Sequence, residues 1–284
     1  IQNRGFEFVG TYSKMEGSFN YNISANLTTV KNEVKYIPGD ILTGNNITTP
    51  GHTIGSFYGY VAERILTPND FDQEGNYLHA MPATGNPAQG DLKFKDLNND
   101  GTVNDLDRTI IGKAVPDFTY SLNLEFFYKN FDLTLFFYGM QNFDVYNHLR
   151  SDIEAFSVQD MGHNKLRDYA MNYYREDRPS TKYLRADLNN TNQNDRPSNW
   201  FLEEGSFLRL KDLQLGYSMP GWVLNSTGLS RARLYLSATN LLTLTEYNGR
   251  DPEAPTISGP LTPGNDGGTY PVPRSLTFGV QVDF

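Results

Sequence analysis

From Phe118 to Tyr128 the chain alternates without a fault. Phe118, Tyr120, Leu122, Leu124, Phe126 and Tyr128 fall on one parity, and Thr119, Ser121, Asn123 and Glu125 on the other. A period of two sends successive side chains to opposite sides of an extended strand, so one face is apolar and the other wet. After Lys129 and Asn130 the apolar parity flips to Phe131, Leu133, Leu135 and Phe137. A two-residue hairpin turn demands that flip: it sets Tyr128 against Phe131 and Leu124 against Leu135, leaving both strands one shared apolar face. The same alternation runs through Ser18 to Thr28, with Phe19, Tyr21, Ile23, Ala25 and Leu27 on the apolar parity, through Arg233 to Thr239, and through Ser275 to Phe284. Between Phe207 and Tyr217 the apolar parity slips near Lys211 and Asp212, which predicts a bulge. A further strand is expected before Tyr12, around Gly5 to Val9.

These strands sit in a chain of 18 Tyr, 18 Phe and 2 Trp on a polar background, a composition that favours strands joined by Asn- and Gly-rich loops. No stretch approaches the roughly 18 to 20 apolar residues of a transmembrane helix, so any membrane insertion must use strands. The absence of cysteine excludes disulfides, zinc thiolates and thiol catalysis. A net charge of -9 argues against nucleic acid as a partner. Asn3, Arg4 and Glu7 interrupt any apolar core at the start, so the first residues do not read as a signal peptide.

The connections alternate in length: short at Ser13 to Gly17, long over 31–115, two residues at Lys129 and Asn130, long over 141–204, moderate at Met219 to Ser230 and long from Thr245 to Pro273. Short turns on one side and long loops on the other are the habit of outer-membrane barrels. Ile54 to Leu66 has strand character but is assigned to the first long loop, since otherwise some fifty residues after it would become a periplasmic turn. Seven spans result, one before Ser13 and others centred near Ile23, Leu122, Leu135, Leu213, Leu236 and Val280. An odd number starting on the extracellular side, with edges unpaired in lipid, calls for further strands upstream. The expected fold is therefore all-β, an antiparallel transmembrane barrel seen in part. The competing architecture is a soluble β-sandwich, whose strands also alternate. Aromatics at the ends of the strand faces, as in membrane girdles, favour the barrel.

The sharpest chemical motif runs from Asp96 to Asp107. Asp96, Asn98, Asp100, the Thr102 carbonyl, Asn104 and Asp107 fill positions 1, 3, 5, 7, 9 and 12 of a calcium loop, with Gly101 at the sharp turn. Val103 at the next position would pack inward. Asp replaces the usual Glu at the last position and no clear helix precedes the loop, so it is nearer to dockerin-type loops than to EF-hands. A solvated Asp/Asn-rich turn is the plainer alternative. No apolar pocket or histidine partner suits these carboxylates to acid-base catalysis. His52, His79, His148 and His163 are scattered through loops without metal spacing and read as surface residues. Tyr58, Tyr60, Phe71, Tyr77, Tyr146, Tyr173, Tyr174 and Trp200 either stack on a ligand or hold the loops together. The chain end, Thr277 to Phe284, resembles the signal by which the barrel-assembly machinery recognises outer-membrane proteins.

Five blocks in collinear order carry a wider likeness: Gly90 to Gly112, Pro116 to Gly139, Ser206 to Pro220, Leu229 to Glu253 and Tyr270 to Phe284. Together they resemble the C-terminal part of the SusC/RagA family of TonB-dependent transporters of Bacteroidota. The resemblance implies a barrel of about 22 strands closed by an N-terminal plug, with residues 1–284 supplying the end of the barrel and lacking the plug. It also implies a Gram-negative outer membrane, a SusD-like surface lipoprotein as lid, energy from TonB, and import of oligosaccharides or peptides with no bond made or broken. Two other functions compete with transport. One is a soluble calcium-stabilised sugar-binding module; the other is a barrel enzyme, for which no nucleophile and base are apparent.

Overall fold

The computed structural model describes residues 1–154, 164–253 and 259–284. Seven long strands form one antiparallel sheet: β1 (Glu7–Lys14), β2 (Phe19–Thr29), β3 (Phe118–Tyr128), β4 (Phe131–Gln141), β5 (Phe207–Ser218), β6 (Arg231–Thr245) and β7 (Ser275–Asp283). They pair in sequence order, β1 and β7 at the edges. The seven spans are those expected, with β1 reaching Lys14 and so moving the first turn to Met15–Ser18. This is one continuous curtain, not two facing sheets, and the sandwich alternative fails on that ground.

The β3–β4 hairpin keeps the expected register, Tyr128 opposite Phe131 and Leu124 opposite Leu135, with Lys129 in left-handed backbone (φ 53°) to close the turn. The bulge falls where the parity slips: Phe136 faces Asp212 and Phe137 faces Leu210, leaving Lys211 as the inserted residue. Without it, Leu208 and Leu210 would point to the wrong side. At the start of β1, a Cβ on Gly5 would lie 1.8 Å from the Thr29 carbonyl oxygen. Only glycine lets the chain just before β1 pass that close to the end of β2.

Register carries the two faces across the whole sheet. Tyr12, Ile23, Leu124, Leu135, Leu213, Ala238 and Leu276 are consecutive pairing partners, forming one apolar row from edge to edge. On the opposite face Ser13, Asn22, Glu125, Thr134, Gln214, Ser237 and Thr277 form an equally continuous row with no apolar member. Apolar side chains remain in the open on the first face, Phe278 being 69% exposed. No residue of β1, β2 or β7 is buried.

The chain's buried core is instead in the long loops. The described residues of 31–115, 141–204 and 246–274 fold into a cap of short strands and turns at one end of the sheet. Ile54 to Leu66 does stay out of the wall: Ser56–Gly59 pairs with Asn46–Thr48 and Thr109–Gly112, and Ala62–Ile65 pairs with Leu92–Phe94. Asp144–Asn147 joins Leu202–Glu204 and Asn265–Asp266 in a three-stranded sheet, tying the second long loop to the third. Among the described residues no helix is long and apolar enough to cross a membrane.

Candidate functional site

The polar face of the wall is a network, because hydroxyls and amides facing each other on paired strands lie within hydrogen-bonding reach. Ser13 Oγ donates to Asn22 Oδ1 (2.6 Å), and Asn22 Nδ2 donates to Glu125 Oε2 (3.1 Å). Asn123 Nδ2 donates to Glu125 Oε1 (3.2 Å), Asn26 Nδ2 to Ser121 Oγ (3.1 Å), and the Thr11 and Ser24 hydroxyls meet at 3.1 Å. Nearer the turns, Arg233 Nε donates to Asp132 (3.1 Å) and its NH2 to Gln214 Oε1 (3.0 Å), linking three strands. Tyr235 lies across Gly279 on the same face, where a Cβ would meet the ring at 2.2 Å. Such a surface, backed by an apolar one, suits the wall of a wet passage.

Arg209 welds this wall to the cap. It lies on β5, its side chain only 4% exposed, and donates to Asp251 Oδ1 (2.6 Å), Glu253 Oε2 (2.5 Å) and Thr243 Oγ1 (2.9 Å). Lys211 Nζ reaches Glu253 as well (2.8 Å). Burial works against the Asp251 charge, yet the Arg209 guanidinium and the Glu253 and Val272 amides hold its carboxyl below the usual range. Sequence reasoning missed this junction. Its signal was two basic residues two apart, Arg209 and Lys211, matched by two acidic residues two apart, Asp251 and Glu253.

Within the cap, Asp91 is fully buried and joins the first long loop to the second. It accepts from Arg185 Nε (2.7 Å), Asn194 Nδ2 (2.9 Å) and the Ala88 amide (2.8 Å). Burial outweighs these partners and pushes its carboxyl up. Asp70 has the opposite balance. Two hydrogen bonds from Arg64 (2.5 and 2.7 Å), with help from the Thr67 amide and His79, hold it well below the usual range. Beside this cluster, burial and the Asp70 charge push the Tyr77 hydroxyl up to about 12.

The cap's aromatics are structural more often than exposed. Tyr146 is buried with Phe57 and Phe201, and Tyr60 and Tyr174 with Phe94 and Leu184. Phe71 and Tyr77 pack on each other at 5.6 Å. Tyr58 supports the Arg108 guanidinium at 4.6 Å. His52 and His79 are exposed, although His79 contacts Asp70 at 2.7 Å. His148 departs from a surface role: it is half-buried, 4.7 Å from the Tyr146 ring and 3.0 Å from Asn265 Oδ1. His163 lies outside the described residues.

The Asp96–Asp107 segment folds as a chain of side-chain turns. Asp96 accepts from the Asn99 and Gly101 amides (2.7 and 2.8 Å), Asn98 Oδ1 from the Asp100 amide (2.9 Å), Asp100 Oδ1 from the Thr102 amide (2.8 Å), and Asn104 Oδ1 from Leu106 (2.8 Å). Asn104 Nδ2 donates to the Thr102 carbonyl (3.3 Å). Asn99 and Gly101 take the left-handed backbone that the turn needs. Val103 packs inward, 1% exposed in the core with Tyr60 and Leu92. Asp107 is fully buried, accepting from Leu97 (2.7 Å) and Asn104 (2.8 Å) amides. Burial opposes its charge, but the Asn104, Leu97 and Asn98 amides hold it below the usual range. Among the described residues no three His, Asp or Glu side chains gather as a metal-holding group, so any cation here would draw on amide and backbone oxygens too.

No protein-family model matches the chain. Curated relatives match it along its whole length. TonB-dependent receptor P3 of Formosa agariphila is 31% identical over 310 residues, covering 100% of this chain and 29% of the relative. TonB-dependent receptor SusC of Bacteroides thetaiotaomicron is 25% identical over 302 residues, covering 100% of this chain and 26% of the relative. Along its whole length the chain is therefore similar to TonB-dependent receptors, SusC among them. It spans less than a third of these relatives' length. The RagAB peptide importer shares the fold of this chain: its "closed-closed" state superposes with a TM-score of 0.71 at 22% identity, covering 99% of this chain and 29% of that one. The "open-open" state gives 0.68 at 24% identity, with 99% and 28% coverage. The seven-stranded curtain thus has the fold of a stretch of barrel wall, and the relatives it matches are receptors and transporters rather than enzymes.

Proposed function

We propose that residues 1–284 form the C-terminal part of the barrel of an importer in a Gram-negative outer membrane, with 31–115 and 141–204 as extracellular loops. The observation that carries this reading is the pair of registered rows, one wholly polar and one apolar with its edge members Tyr12 and Leu276 exposed, running from β1 to β7. Lipid on one side and an aqueous passage on the other satisfy both rows at once. The rest of the same transporter supplies the remaining strands and the plug. TonB drives passage, and a SusD-like surface lipoprotein closes the cap from outside. Oligosaccharides or peptides are the cargo, carried without chemical change; the similar RagAB structure, named a peptide importer, supports uptake of the peptide kind, and the SusC relative, named a TonB-dependent receptor, supports the energy source.

Uptake by cells carrying the whole transporter tests the reading. Gln214→Trp, in the middle of the polar row, should lower uptake at unchanged surface level and unchanged lipoprotein co-purification, and undiminished uptake would count against a passage along this face.

The Asp96–Asp107 loop is proposed to hold a calcium ion through Asp96, Asn98, Asp100, the Thr102 carbonyl, Asn104 and Asp107. The donors are all oxygen, as a hard cation requires. Chelation should then speed protease cleavage within 92–107 and calcium, not magnesium, should reverse it. Cleavage indifferent to both ions would leave the loop as a self-supporting Asx turn.

A further inference from the structure

The connection from β5 to β6, Met219–Ser230, holds no Asp, Glu, Lys or Arg, in a chain that is 20% charged. It folds as a short helix, Gly221–Thr227, stopped by Gly228 in the left-handed region (φ 71°). Trp222 stands 76% exposed on it. A large apolar ring and an uncharged turn held out in water gain nothing from burial.

The neighbouring wall supplies the context. At this end of the sheet the outer face carries an aromatic belt. Tyr12, Phe19, Tyr21, Phe126 and Tyr128 pack together at 5.9–6.5 Å, and Phe131 meets Tyr217 at 4.7 Å. Tyr217 is one residue before the end of β5, so the belt runs directly into the helix-bearing turn. The same end presents Lys14, Lys129 and Arg231. Of its acids, Asp132 is paired with Arg233, leaving Glu16 and Asp283. Trp favours the headgroup level of a bilayer, and cations there meet lipid phosphates.

We infer that Met219–Ser230 is an interfacial membrane anchor, in which the short helix lays Trp222 among the phospholipid headgroups of the periplasmic leaflet. The inference rests on the barrel reading, and extends it from the wall to a turn that would otherwise lie in the periplasm. Its role is to fix the depth of β5 and β6 in the membrane.

The test uses the whole transporter in vesicles of phosphatidylethanolamine and phosphatidylglycerol, with bromine placed near either the carbonyl or the methyl end of the acyl chains. Trp222→Phe should remove an emission component that carbonyl-end bromine quenches strongly, methyl-end bromine weakly and aqueous acrylamide hardly at all. A removed component open to acrylamide and blind to bromine puts the turn in water. One blind to both puts it under protein; either result overturns the anchor. Phe278→Trp, on the outer face of β7, is the control. If its added emission is not quenched by methyl-end bromine, the wall is not in lipid, and the failure belongs to the barrel reading instead.

Discussion

The wall and the cap solve the problem of burial in opposite ways. In the wall, long strands pair with their neighbours from one edge to the other while Phe8, Leu276, Phe278 and Val280 stay in the open. In the cap the strands are two to four residues long, yet Phe57, Tyr146, Phe201 and Leu184 are almost wholly enclosed. The wall is a surface waiting for a solvent that is apolar on one side, whereas the cap makes its own interior. Stability in the first comes from register and in the second from packing.

That contrast can be broken most directly where the two meet. Replacing Arg209 with Ala leaves the buried Asp251 carboxylate without its cation, while Glu253 keeps Lys211, a loss of about 3–5 kcal/mol for a broken buried pair. It should appear as protease cleavage within 246–253 while β5 to β7 remain resistant. Cleavage spreading into the strands would mean that wall and cap are one cooperative unit. Within the cap, Phe57→Ala leaves a cavity and should cost roughly 3–5 kcal/mol. Phe278→Ala opens no cavity and should leave the denaturation midpoint in detergent nearly unchanged; equal losses at the two sites would erase the distinction drawn here.

The two faces of the wall differ by a smaller margin. An arginine at the midplane of a lipid-facing strand costs about 2–4 kcal/mol, so Leu124→Arg should fold poorly into vesicles while Asn123→Arg, one residue away, folds well. Comparable folding yields would remove the lipid from that face. The smallest effect is one of pH inside the cap. The Asp70 carboxyl is depressed, so its contribution is complete above the unfolded value of about 3.9 and is lost as pH falls below it. Asp91 is raised, so its charge weakens the fold as pH rises through the usual carboxylate range, and acid relieves it. Hydrogen exchange should therefore quicken at Asp70–His79 on acidification before it does around Asp91 and Arg185. The reverse order would show that the Arg64 pairing is not what holds that hairpin.

The wall was largely legible because a strand's pattern is local: parity fixed the β3–β4 register and placed the bulge near Lys211 and Asp212, where Lys211 is the inserted residue. The cap was legible only as loops. Its contacts join residues such as Asp91 and Arg185, 94 positions apart, or Asn46 and Asn265, 219 apart, and no periodicity announces such pairs. Val103 was read correctly since its place in a turn motif dictated its direction. His148 was not, because only the folded second loop brings Tyr146 and Asn265 to it.

The ladder of Ser13, Asn22, Glu125 and Asn123 has a consequence for traffic. Its donors and acceptors already serve one another, so a passing hydroxyl or amide finds few groups hungry for a partner. Throughput needs attachments weak enough to let go. On the proposed reading this stretch of lining, wet but self-satisfied, would be slippery, and selectivity would then reside in the mouth above it rather than along this part of the wall.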